Sequence, residues 1–166
     1  RAFAGEGLFH VNRRRVAVKE SADLKSWTHE RTIIVPEEGD PTDFYGLTVF
    51  RRGDLFFGSL QLYETVGYQI SSELIWSSDG VIWQRLPQGA QKIFLDPDKN
   101  GTWDDGMVFL FEKPIIVNDD MRFYYGGTNT PHTEFGSSAI GLATTPLDRL
   151  IGARALPDTL GRILTR

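Results

Sequence analysis

The chain has 166 residues and a formal net charge of −4; it is 40% hydrophobic and 12% aromatic and contains no cysteine. This length and apolar content suit one ordinary domain with its own core and exclude a disordered chain. The acidic balance offers no basic field for nucleic acid, no apolar run nears the roughly 20 residues of a membrane-spanning helix, and the lack of Cys removes disulfides, thiolate metal sites and a cysteine nucleophile.

The chain opens on Arg1-Ala2-Phe3 rather than Met, with no leader pattern, which predicts a fragment or a processed form. The basic run Arg13-Arg14-Arg15 sits among strand residues and reads as decoration of a solvated face. From there a repeat becomes visible. Ser21-Ala22-Asp23-Leu24-Lys25-Ser26-Trp27 recurs as Ser77-Ser78-Asp79-Gly80-Val81-Ile82-Trp83, each after an extended segment. A degenerate third copy runs from Ala139 through Leu150.

A second pattern interleaves with the first. Asp43-Phe44-Tyr45-Gly46 opens the apolar stretch Leu47 to Phe50, and Trp103-Asp104-Asp105-Gly106 opens Met107 to Phe111. Each leads to a polar turn, Arg52-Gly53-Asp54 or Asn118-Asp119-Asp120, and then to an aromatic strand. Short β-branched and aromatic runs between Gly, Asn and Asp turns read as antiparallel hairpins. The repeat length and about four strands per unit predict an all-β fold of β-propeller blades, each a four-stranded antiparallel sheet. The expected division is part of a blade over 8–36, a blade over 43–87 and a blade over 104–156, in one partial domain spanning 1–166. Residues 88–102 read as a connection with a short apolar insert, Ile93 to Leu95, and the tail from Leu156 to Arg166 as the start of another element. About two and a half blades cannot close a ring, so the remaining blades are expected from a longer chain, in preference to association of several copies.

In such a blade the entry to the innermost strand and the loop between strands two and three share one face. Asp43 and Asp104 then stand at the rim of a central channel, and the loops 63–71 and 128–137 bring Glu64, Tyr68, His132 and Glu134 to its mouth. Two carboxylates flanked by Phe44, Tyr45 and Trp103 suit sugar chemistry, because aromatic faces stack on pyranose C–H faces and glycoside cleavage uses paired carboxyl groups. Each Asp also suits a plain turn that bonds its own backbone. Glu112, in Phe111-Glu112-Lys113-Pro114, shares a strand face with Asp104 if the strand is unbroken; pairing with Lys113 is the alternative. His132 is read as a solvated loop histidine or a sugar-hydroxyl contact. Three scattered His give no metal-ligand spacing, and Asp96 to Gly101 lacks the later Glu of a calcium loop. No phosphate-binding glycine loop occurs. Neither a metal nor an organic cofactor is expected.

The ordered set Asp43-Phe44-Tyr45-Gly46, Ser77-Ser78-Asp79-Gly80 with Trp83, Gly101 to Val108, Phe123 to Gly127 and Ile140-Gly141-Leu142-Ala143 resembles a bacterial group of five-bladed propellers related to glycoside hydrolase families 32, 43 and 68. The Ser-x-Asp units also resemble the Asp-boxes of sialidase-like propellers, at a spacing one residue short, with the Asp capping a hairpin and Trp27 or Trp83 packing between blades. The resemblance implies a funnel-shaped site for an oligo- or polysaccharide, a glycosidase-type reaction, and an extracellular or periplasmic setting. It casts Asp43 and Asp104 as inner-strand acids, one base or nucleophile and one stabilising, with Glu112 the nearest candidate for proton donor. Phe44, Tyr45, Trp103 and His132 become the sugar-contacting residues. The alternatives are a non-catalytic carbohydrate-binding propeller and a structural or protein-interaction propeller.

Overall fold

The computed structural model describes residues 13–40, 43–87, 93–98 and 100–151. All regular elements among them are strands. In chain order they are β1 (Val16–Val18), β2 (Arg31–Ile34), β3 (Asp43–Arg52), β4 (Leu55–Glu64), β5 (Gln69–Ser77), β6 (Ile93–Leu95), β7 (Met107–Leu110), β8 (Ile115–Val117), β9 (Asp120–Thr128) and β10 (Ser138–Pro146). The fold is all-β and built from antiparallel sheet units.

The first unit is the hairpin β1–β2, whose connection holds the first Ser-x-Asp turn. The second is the meander β3–β4–β5, paired from Asp43↔Tyr63 to Arg52↔Leu55 with a one-residue register shift between Phe44 and Gly46, and from Glu64↔Gln69 to Phe56↔Ser77 without one. Its first hairpin closes through Gly53 at φ +59°, a left-handed conformation that a side chain would resist. Beyond β5 the fourth position shrinks to one bridge, Trp76↔Gln84. The third unit is β7 and β8, both paired to β9, followed by β10 on the other edge of β9. The blade limits at 8–12 and 152–156, and the tail beyond, lie outside the described residues.

Two expectations change here. Residues 93–95 are a strand rather than a passive insert: β6 pairs antiparallel to β5, and Phe94 packs edge-on against Phe123 at 5.2 Å. The inner strand of the third unit is broken, because β7 ends at Leu110 and β8 starts at Ile115, with Pro114 unable to donate to a ladder between them. A single parallel bridge, Ile70↔Met107, ties β5 to β7 and so joins the second and third units into one sheet path.

Strand alternation decides where the core sits. On one face of the second unit, Phe44, Leu60, Leu62 and Ile75 pack with Ile34 of the first unit. On the other face, Phe50 and the half-buried Phe57 pack with Leu110, Met121 and Phe123 of the third. The second unit is therefore buried on both faces between its neighbours, as stacked sheets require. Among the described residues the third unit is covered on one face only. Its outer face carries Phe111, Tyr124, Ile140 and Leu142, all exposed, Ile140 to 71%.

An ion-pair cluster lies inside the second unit. Glu73, wholly buried on β5, receives Nε and Nη2 of Arg85 at 3.1 and 2.6 Å, and Asp40 receives Nη1 and Nη2 at 2.6 and 2.7 Å. The guanidinium also lies 5.2 Å from the Phe44 ring centre. Asp40 accepts the Glu37 N–H as well, so Arg85 holds the turn that leads into β3. Buried carboxylates with a shared, hydrogen-bonded cation avoid the cost of isolated buried charge.

Candidate functional site

One end of the sheet gathers most of the chemically interesting side chains. The start of β3, the end of β4, the start of β5, the start of β7 and the end of β9 all lie there, because the register pairs Asp43 with Tyr63, Glu64 with Gln69, and Met107 with Thr128. The loop after β9 folds back over this end. Its His132 N–H donates to the Tyr68 carbonyl at 2.8 Å, and its base is closed by Asn129 N–H to Ser137 O and Ser137 N–H to Asn129 Oδ1. Tyr68 itself holds φ +54°, a costly conformation for a bulky residue outside glycine. Strain of that kind concentrates at binding sites.

The side chains here form an aromatic cluster with an acid at its edge. Tyr45 OH and His132 Nε2 lie 2.7 Å apart in a hydrogen bond whose direction follows the imidazole tautomer. The His132 ring stands 5.1 Å from Tyr45 and 5.2 Å from Tyr63, and Tyr63 tilts against Tyr68 at 6.5 Å. Phe109 of β7 meets Tyr45 edge-on at 6.1 Å. Asp43 accepts the Arg14 N–H at 2.9 Å through Oδ1, and the Phe44 N–H returns a bond to the Arg14 carbonyl. Desolvation is the main cause pushing the Tyr63 phenol above its ordinary pKa; the nearby Tyr68 and Asp43 push the same way while Arg14 opposes them.

Asp104 makes a second, neighbouring group. The residue is 8% exposed and both carboxylate oxygens are engaged, Oδ1 by Thr102 Oγ1 at 2.8 Å and Oδ2 by Tyr125 OH at 2.7 Å. Burial, then the bond and charge of Asp104, push the Tyr125 phenol up to about 12. Trp103 stacks on Tyr125 at 5.7 Å and 22°. Gly127 beneath them is required by contact: a Cβ there would lie 2.5 Å from Asp104 Cβ and 2.6 Å from Trp103 Cζ3. The loop is clipped to the second unit by Gln69 Nε2 to Asp105 O at 3.1 Å.

Of the residues singled out from the sequence, the structure brings Asp43, Tyr45 and His132 together. It keeps Asp104 and Trp103 in the adjoining group. Phe44 is corrected: at 1% exposure, with its ring under Arg85, it is a core residue and offers no face to a ligand. Glu112 is corrected in position. The strand break puts it in the exposed segment past Leu110, at the far end of β7 from Asp104, so the shared-face argument does not apply. His132 is not simply solvated, since it is half-buried and bonded to Tyr45. Glu64 caps its own turn by accepting the Val66 N–H. Arg14 is exposed, as the reading of a solvated basic run has it, and its Cζ also lies 4.6 Å over the Tyr45 ring. Arg14 and Tyr63 were missed as site residues; the Gly53 hairpin alone would set Tyr63 opposite Phe44, and only the register shift between Phe44 and Gly46 brings it opposite Asp43.

The Ser-x-Asp turns lie elsewhere and are structural. Asp23 Oδ1 accepts the N–H groups of Lys25 and Ser26, and Asp79 Oδ1 those of Val81 and Ile82, each at 2.8 Å. These backbone bonds are the chief reason both carboxyls sit below the ordinary Asp pKa. Trp83 donates to the Gly80 carbonyl and packs on the core of the second unit, whereas Trp27 is exposed and does not pack between sheets.

No protein-family profile matches this sequence, and no curated protein does. Solved structures do match in shape. A structure described as a glycoside hydrolase aligns at TM-score 0.58 and 19% identity over 87% of this chain and 40% of its own. An N-acetylgalactosamine deacetylase from F. plautii in complex with blood group B trisaccharide aligns at TM-score 0.51 and 19% identity, over 80% of this chain and 41% of that one. The chain thus spans about two fifths of the length of these structures, and at this identity the likeness is one of fold.

Proposed function

We propose that this chain is part of a glycoside-hydrolase-like propeller that binds an oligo- or polysaccharide at the Asp43–Tyr45–Tyr63–His132 end of its sheets. The observation that carries this reading is the convergence of three tyrosines, a histidine and a carboxylate from β3, β4, the β4–β5 turn and the loop after β9. Sugar sites need that combination of apolar faces and a few fixed polar groups. Stacking of the second unit between its neighbours supports a radial array of blades, and the shape likeness to a glycoside hydrolase agrees with it. The apolar outer face of the third unit is read as the seat of a further blade from a longer chain.

For hydrolysis, Asp43 is the favoured base or nucleophile, with Asp104 as the carboxylate that stiffens the adjoining wall. Glu112 is not retained as proton donor, because it lies at the far end of its strand. A second reading, binding without cleavage, is favoured by Asp104, both of whose oxygens are already hydrogen-bonded.

The test is glycan-array screening and calorimetry on the full-length protein, followed by aryl-glycoside assays. Wild type should bind at least one saccharide class, and Tyr45→Ala should weaken it by roughly tenfold, the loss of one stacking and hydrogen-bonding contact. If cleavage occurs, Asp43→Asn should abolish it with binding retained. No binding to any saccharide, or equal binding by Tyr45→Ala, would discard the reading.

A further inference from the structure

The guanidinium of Arg14 is poised at the site, and no acid among the described residues pairs with it. Two other arginines are ion-paired, Arg52 with Asp148 and Arg85 with Asp40 and Glu73. Arg14 forms no ion pair among the described residues. Its backbone is fixed from both sides, N–H to Asp43 Oδ1 and carbonyl to the Phe44 N–H, so the residue cannot slide along β3. Its side chain is laid over the Tyr45 ring at 4.6 Å, which occupies the face of the guanidinium and leaves the N–H edges for another partner. The residue is exposed, so a ligand can reach those edges.

The chemistry of that edge is selective. A planar guanidinium matches a carboxylate through two parallel hydrogen bonds, a geometry that neutral hydroxyls do not exploit as well. The aromatic rings beneath and beside it supply the apolar contact that a sugar ring needs. Resting on the carbohydrate reading above, we propose that Arg14 makes this site selective for acidic saccharides, its guanidinium pairing with the carboxylate of a uronosyl residue while the ring lies against the tyrosine cluster. Asp43, whose Oδ1 is turned to the Arg14 backbone, adds a negative charge that disfavours the acidic sugar unless the guanidinium offsets it; the selectivity therefore depends on Arg14 in particular.

The experiment compares calorimetric binding of an oligogalacturonate with that of its carboxyl-reduced, neutral counterpart of equal length, using the full-length protein at low and high salt. A sulfated oligosaccharide of the same charge serves as a third ligand. The acidic ligand should bind roughly tenfold tighter than the neutral one, the worth of one charge-assisted pair, and high salt should shrink that ratio. Arg14→Ala should reduce the acidic ligand to the level that wild type shows for the neutral one. Arg14→Lys should keep part of the preference, because the charge stays while the paired, planar geometry is lost. Equal wild-type binding of acidic and neutral ligands, or an undiminished preference in Arg14→Ala, overturns the inference while leaving the carbohydrate reading in place. Binding of none of the three, with none on the wider array, overturns both.

Discussion

The second and third units both place an aspartate just ahead of an apolar inner strand, and they use it in opposite ways. Asp43 starts β3 half-buried, spends one oxygen on a neighbouring backbone N–H, and borders a cluster of tyrosines and a histidine. Asp104 precedes β7, is nearly enclosed, and has both oxygens taken by Thr102 and Tyr125. The difference follows from the surroundings rather than the motif. Gly127 lets Asp104 and Trp103 settle directly onto β9, whereas Asp43 faces Tyr63 across the strand pair and so remains at the edge of the tyrosine cluster. Repetition of a short sequence pattern in two units therefore does not transfer a role from one to the other.

Three substitutions sharpen that contrast. The largest effect belongs to Arg85→Met. It leaves Asp40 and Glu73 buried without their shared cation and should cost about 3–5 kcal/mol, read by denaturant unfolding. Because Asp40 stands three residues before Asp43, the same variant should loosen the entry to β3 while leaving the Asp104 group undisturbed. Amide exchange near Tyr63, with exchange near Tyr125 unchanged, reports this; equal loosening of both groups would show that the two carboxylates are not independently supported. Next comes Gly127→Ala, whose methyl meets Asp104 and Trp103 and should cost about 1–3 kcal/mol while disturbing the third unit alone.

The smallest effect is on titration. The Tyr125 phenol, raised by burial and then by Asp104, favours the neutral form in the folded protein. Its contribution to stability is present below the unfolded value near 10 and is lost as pH rises through about 12. In Asp104→Asn the midpoint should fall toward the ordinary value without reaching it, since burial remains. Ultraviolet titration of tyrosinate measures this; an unmoved midpoint would mean that burial alone sets it.

Much of this molecule is legible from local pattern. Alternating aromatic and β-branched runs between Gly, Asn and Asp turns determined that the regular elements among the described residues are strands, and the two Ser-x-Asp units determined their own turns, since each aspartate reaches only its nearest backbone N–H groups. Glu73 within Gln69–Ser77 is buried among strand residues and so needs a partner. The identity of that partner was not readable, as it depended on which loops approach β5. Tertiary structure alone decided that Phe44 turns inward, that β7 stops short of Glu112, and that Arg14 lies over Tyr45. Strand periodicity says which residues share a face, but which face is covered, and what crosses above its end, is set by neighbouring sheets that sequence spacing does not measure.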